Sequence, residues 1–81
     1  MENVKVLIVD DEPNIRDLLS TSLKFAGFSV MAVGNGVQAV KAAEEANPDI
    51  ILLDVMLPDM NGFSVTKKIR SLDCSIIRLP E

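Results

Sequence analysis

The chain has 81 residues, of which 48% are hydrophobic and 25% charged. This composition predicts one globular domain over residues 1–81 and excludes a disordered or collagen-like chain. The longest aliphatic runs are four residues long and no leader precedes them, so we expect no membrane span and a cytoplasmic location. The single cysteine, Cys74, excludes a disulfide scaffold. A net charge of −4 disfavours direct nucleic-acid binding.

The first strand and helix follow each other closely. Residues 4–9 are almost continuously apolar, which is typical of a strand buried on both faces. From Pro13 the apolar period becomes helical, and Gly27 lies just beyond the expected end of the helix. We expect an amphipathic helix whose apolar positions are Ile15, Leu18, Leu19, Leu23 and Ala26.

A second strand and helix repeat this arrangement. Residues 28–33 are typical of a strand, and residues 34–36 form a turn in which Asn35 is placed to cap the next helix. Val37, Val40 and Ala43 mark that helix. It should stop at residues 47–48, because proline restricts the residue before it and cannot donate a helical hydrogen bond.

The remaining elements complete a repeating pattern of strands and helices. A third strand over residues 50–53 ends at Asp54, residues 57–62 are typical of a loop, and a third helix is marked by Val65, Ile69 and Leu72. Residues 74–81 have a weak strand pattern. The alternation predicts an α/β fold with a parallel sheet, built from three βα units and a possible fourth strand.

Three carboxylates stand where predicted strands end. Asp10 and Asp11 follow the first strand, and Asp54 ends the third. Ligands of a parallel sheet gather at the carboxyl ends of its strands, and clustered carboxylates repel one another unless a cation lies among them. Mg²⁺ binds such oxygens and keeps room for phosphate. The alternative for Asp10 or Asp11 alone is a helix cap, but the three acids together favour a metal site.

These residues resemble the receiver domain of two-component response regulators. The resemblance is carried by the Asp10–Asp11 pair, by Asp54, and by the stretch Pro58-Asp59-Met60-Asn61-Gly62, which occur in the family's order and on the corresponding elements. It covers residues 4 to about 72. The resemblance implies a flavodoxin-like fold with sheet order 2-1-3-4-5, of which this chain would supply an incomplete version.

The resemblance also implies a role for each site residue. Asp54 would be the phosphoacceptor, a carboxylate nucleophile that takes the phosphoryl group from a histidine kinase. Asp11 and Asp54 would bind Mg²⁺ directly, Asp10 would bind it through water, and the backbone carbonyl of Met56 would complete the protein's ligands. Pro58 and Gly62 would shape the loop after Asp54. A receiver of this kind accepts phosphate and is not itself classed as an enzyme.

The end of the chain departs from the family pattern. Pro80 stands where the family has a switch Thr or Ser, and the family's lysine and aromatic switch residue have no counterpart. Lys67 and Lys68 lie on the third predicted helix and should face solvent. We therefore expect impaired phosphorylation. We also expect apolar surface that self-association would cover, either as a homodimer through edge pairing or by exchange of the C-terminal segment.

Two other functions are compatible with part of the pattern. A Mg²⁺-dependent phosphohydrolase would also use an aspartate nucleophile, but such enzymes usually carry a second acid two residues later, where this chain has Met56. The second alternative is a receiver fragment that is not phosphorylated and acts only as an interaction or self-association module. A mass measurement after exposure to a phosphoryl donor separates this alternative from a working phosphoacceptor.

Overall fold

The fold is a four-stranded parallel sheet with helices on its two faces. The computed structural model describes residues 4–54 and 75–79, together with Lys67 and Ile69. The described strands are β1 (Lys5–Val9), β2 (Ser29–Val33), β3 (Ile50–Asp54) and β4 (Ser75–Leu79), and the helices are α1 (Pro13–Phe25) and α2 (Gly36–Ala46). The strand order is β2-β1-β3-β4. The predicted α/β class, the parallel sheet and the fourth strand are confirmed.

The core lies on the sheet face that α2 covers. Leu7 and Val9 of β1 pack there with Ile51 and Leu53 of β3, and each is at most 1% exposed. The same cluster contains Ile69, which has helical backbone. On the opposite face Val6 and Ile8 are also buried. Strand β1 is therefore buried on both faces, as its apolar run predicts.

Both ends of α1 form as the sequence predicts. Pro13 is the first helical residue, where its missing N–H costs nothing. At the other end Gly27 has a φ of +102°, and the N–H groups of Gly27 and Phe28 donate to the carbonyls of Lys24 and Leu23. This is a Schellman motif, which requires the left-handed backbone conformation that glycine adopts without strain. Ala26, predicted to be on the helix, is its C-cap.

The apolar positions of α1 are less covered by the rest of the chain than those of β1, since no residue of this helix is buried. Ile15 is 42% exposed and Leu18 is 62% exposed. The helix contacts β1 and β2, which lie at one side of the sheet. Within the apolar stripe, Leu19 and Leu23 are half-buried, whereas Leu18 faces solvent.

Helix α2 is capped as predicted, and its predicted apolar face is wrong only at Val37. The Asn35 side chain accepts a hydrogen bond from the Gln38 N–H at 2.8 Å, and Asn47 ends the helix with a φ of 48°. Val37, predicted to mark the apolar face, is 61% exposed. Ala43, also predicted for this face, is buried, and Val40 packs against the core, while the other buried positions are small residues such as Ala39. Their small side chains let the helix lie close to the sheet.

Several predictions fall outside the described residues. They concern the loop at 57–62 with Pro58 and Gly62, the Met56 carbonyl, most of the third helix, and the positions of Lys68 and Pro80. Lys67 is exposed, as expected. None of the helices in the described part of the chain is long and apolar enough to cross a membrane.

Candidate functional site

The strand register brings the predicted carboxylates to one edge of the sheet. Val9 of β1 pairs with Leu53 of β3, so the next residues along the two strands, Asp10 and Asp54, lie at neighbouring strand ends. The Asp10 N–H donates to the carbonyl of Val33 at 3.2 Å, which joins this point to the end of β2. The carboxyl ends of three neighbouring strands therefore meet where parallel sheets bind ligands.

Asp10 is buried at this edge, with only 6% of its surface exposed. Its Oδ1 accepts a hydrogen bond from the Glu12 N–H at 2.9 Å. The alternative role as a helix cap is wrong for Asp10, because the N-cap residue of α1 is Glu12, which has no side-chain cap. Asp10 instead closes a turn between β1 and α1. Among the described residues no donor contacts its Oδ2.

Asp11 lies next to this buried acid and is exposed. For Asp54 the structure describes the backbone in β3 but not the side chain, and Met56 lies outside the described residues. Where side chains are described, no group of three or more possible metal ligands is found. The donors that can be placed are carboxylate oxygens at one strand edge, and these fit the oxygen coordination of Mg²⁺.

Two residues that sequence reasoning missed lie beside Asp10. The Arg16 guanidinium donates from Nη1 to the Asp10 backbone carbonyl at 2.9 Å, and the Arg16 side chain is half-buried. It lies against Gly34, where an added Cβ would be 3.0 Å from Nη1. The sequence signal was the first cation after the acidic pair, one helical turn into α1, and a glycine directly after β2.

A cavity of about 190 Å³ lies at the other ends of the strands. It is lined mainly by apolar atoms of Lys5, Val6, Ser29, Val30, Met31, Ala46 and Pro48. Its lining has no carboxylate and none of the site residues. The cavity therefore does not share the chemistry of the carboxylate edge.

Comparison with known protein families shows what the chain is similar to. The family model described as "Response regulator receiver domain" matches residues 6–79. The alkaline phosphatase synthesis transcriptional regulatory protein PhoP of Bacillus subtilis is 46% identical over 68 residues, which are 84% of this chain and 28% of PhoP. The chain thus spans less than a third of the length of the curated relatives it matches.

Solved structures give the same result for the fold. The receiver domain of the sensor histidine kinase PA1611 from Pseudomonas aeruginosa superposes with a TM-score of 0.90 at 34% identity, covering 98% of this chain and 68% of that one. That structure has a magnesium ion coordinated in the active-site cleft. The response regulator TrrA from Thermotoga maritima, in complex with Mg²⁺-BeF, has a TM-score of 0.79 at 38% identity and covers 84% and 59% of the two chains.

Proposed function

This chain belongs to the response regulator receiver family, and on that premise we propose that Asp54 accepts a phosphoryl group from a sensor histidine kinase. A carboxylate oxygen of Asp54 attacks the phosphorus, the P–N bond of the kinase's phosphohistidine breaks, and the leaving imidazole nitrogen keeps the electron pair. The product is an acyl phosphate on Asp54. The observation that carries the proposal is the pairing of Val9 with Leu53, which sets the acids of two strands at one edge.

The same edge would hold Mg²⁺ through residues of this chain. Asp11 and Asp54 would bind it directly, Asp10 through water, and Met56 through its backbone carbonyl. Bound there, Mg²⁺ neutralises charge on the transferring phosphoryl oxygens. Oδ1 of Asp10 accepts the Glu12 N–H, and no donor from the described residues contacts Oδ2, which supports this role for Asp10. The magnesium ion in the PA1611 receiver domain supports this assignment.

We expect transfer to be slow. Pro80 occupies the position where the resembling family has a Thr or Ser, and proline has no hydroxyl to bond a phosphoryl oxygen. The chain would act as a phosphoacceptor in the cytoplasm and not as an enzyme with turnover. Its net charge of −4 argues against direct nucleic-acid contact by these residues.

Intact-mass spectrometry tests the proposal. The protein is incubated with acetyl phosphate in Mg²⁺ or in EDTA, and the Asp54→Asn variant is the matched control because it removes the nucleophile with little change in shape. We expect one added phosphoryl group on the wild type in Mg²⁺, less in EDTA and none on the variant. An unmodified wild type in both buffers would refute the phosphoacceptor role and leave the interaction module as the function.

We also propose self-association through the outer part of the sheet. Ile8, Leu52 and Ile77 are register partners in neighbouring strands and share one face. Exposure rises across this row, from 0% at Ile8 through a half-buried Leu52 to 49% at Ile77. Strand β4 is the outermost described strand on this side, so a second copy adding there would cover this apolar surface, by edge pairing or by segment exchange.

Sedimentation tests this proposal independently of phosphorylation. We expect the wild type to sediment as a dimer at micromolar concentration and Ile77→Lys to shift toward monomer, because the change places a charge in the contact. Phe25→Lys is the control, since Phe25 is 95% exposed at the end of α1, away from β4. A wild type that is a monomer with a cooperative melting transition would contradict self-association.

A further inference from the structure

We propose that Arg16 is a positioning residue for the Mg²⁺ site, and that Gly34 is glycine so that Arg16 can reach its place. The inference rests on the proposed function, because it concerns the same carboxylate edge. It adds two residues to the acids that the family resemblance assigns. Their role is to fix the backbone on which Asp10 and Asp11 stand.

Three hydrogen bonds hold Asp10, and each comes from a different part of the chain. Its N–H donates to the Val33 carbonyl of β2, and its Oδ1 accepts from the Glu12 N–H. The third bond, from Arg16 Nη1 to the Asp10 carbonyl at 2.9 Å, is the only one of the three made by another residue's side chain. It spans the turn from β1 into α1. Because this bond fixes the peptide that joins Asp10 to Asp11, it also limits where the exposed Asp11 carboxylate can lie.

Gly34 makes room for this contact. Its φ is not positive, so its backbone conformation alone does not require glycine. The guanidinium of Arg16 instead lies close to the Gly34 backbone. A Cβ added at residue 34 would be 3.0 Å from Arg16 Nη1 and 3.7 Å from its Cζ. An alanine at residue 34 would therefore push the guanidinium by a few tenths of an ångström and strain its bond to the Asp10 carbonyl. The arginine and the glycine act as one unit between the ends of β1 and β2.

Charge and geometry make opposite predictions for Arg16. As a nearby positive charge alone, Arg16 would repel a divalent cation, so its removal would tighten Mg²⁺ binding. As a positioning residue it keeps the acids in place, so its removal would weaken binding. The sign of the change in affinity therefore separates the two roles.

The experiment measures the Mg²⁺ dissociation constant by following the Asp11 amide in nitrogen-15 NMR spectra. For Arg16→Met we expect weaker binding by about five- to tenfold, the effect of losing one hydrogen bond of ordinary net strength, because this bond acts on the acids only through the backbone. Arg16→Lys keeps a donor and the charge, and should restore part of the affinity. Lys24→Met makes the same charge change in the last turn of α1 and should stay within about twofold of the wild type.

Gly34→Ala completes a double-mutant cycle. It should weaken Mg²⁺ binding in the wild-type background and have no effect in the Arg16→Met background, where the guanidinium it would displace is gone. This variant keeps every polar group, so it also tests the inference if Arg16→Met fails to fold. Equal or tighter Mg²⁺ binding by both Arg16→Met and Gly34→Ala would overturn this inference alone, whereas a wild type that binds no Mg²⁺ would overturn the metal site as well.

Discussion

Asp10 has a structural role and a proposed metal-binding role, and two substitutions separate them. Asp10→Ala removes both, whereas Asp10→Asn keeps an oxygen at Oδ1 and removes only the charge. In the structure that oxygen accepts the Glu12 N–H at 2.9 Å, and the residue is 6% exposed. The turn bond should therefore survive in the asparagine variant and be lost in the alanine variant.

The strength of the bond from the Glu12 N–H to Asp10 Oδ1 sets the expected loss in the free energy of unfolding. An N–H bond to a charged acceptor contributes about 1.5–3 kcal/mol, and one to a neutral acceptor about 0.5–1.5 kcal/mol. Because this bond is only part-buried, we take the lower end and expect Asp10→Ala to lower the free energy of unfolding by about 1.5 kcal/mol. Asp10→Asn should lose about 0.5 kcal/mol or less, because its amide oxygen still accepts the Glu12 N–H as a neutral acceptor.

Thermal melting in EDTA and in millimolar Mg²⁺ is the assay. In EDTA the alanine variant should melt about 6–12 °C below the wild type, and the asparagine variant within a few degrees of it. In Mg²⁺ the wild type should gain stability that both variants lack. Equal melting of the two variants in EDTA would refute the role of the turn bond. Full Mg²⁺ stabilisation of Asp10→Asn would refute the role of the carboxylate.

Two further predictions concern the fold that carries the site. Asn35→Ala should lower the free energy of unfolding by about 1 kcal/mol, because the Gln38 N–H loses the side-chain oxygen to which it donates at 2.8 Å. Urea unfolding measures this as a lower midpoint with an unchanged m-value. An unchanged midpoint would contradict the prediction. Ile8→Ala should lower the free energy of unfolding by about 2–5 kcal/mol, because Ile8 is 0% exposed. Leu18→Ala should change it by no more than about 0.5 kcal/mol, because Leu18 is 62% exposed. Similar costs for these two changes would contradict the described burial of β1 and exposure of α1.

Local signals in the sequence predicted much of the fold. The apolar run before Asp10, the proline and glycine that bound α1, and the cap at Asn35 each act over a few residues, and each forms as expected. The strand order, by contrast, was implied only by the resemblance to the receiver family, and the structure confirms that β1 lies between β2 and β3. Because β1 pairs with β3, Asp10 and Asp54 lie at one edge of the sheet.

What the sequence could not predict depends on contacts between distant residues. Helical periodicity placed Leu18 on the apolar face of α1, but it could not show that this side chain is 62% exposed in the folded chain. It also gave no sign that Arg16 would bond a backbone carbonyl, or that Gly34 would leave space for its guanidinium. The charge of Arg16 and the glycine at residue 34 are visible in the sequence, but the backbone carbonyl that the guanidinium meets is decided by three-dimensional packing.

The most direct test of the account is a Mg²⁺ titration followed residue by residue in nitrogen-15 NMR spectra of the wild type. The account predicts that the amides of Asp10, Asp11 and Asp54 shift together with one dissociation constant, while those of Lys5 and Asp49, at the opposite end of the strands, stay unchanged. Shifts spread over exposed acids elsewhere, or no shift at the strand ends, would contradict the claim that β1 and β3 bring these carboxylates into a single metal site.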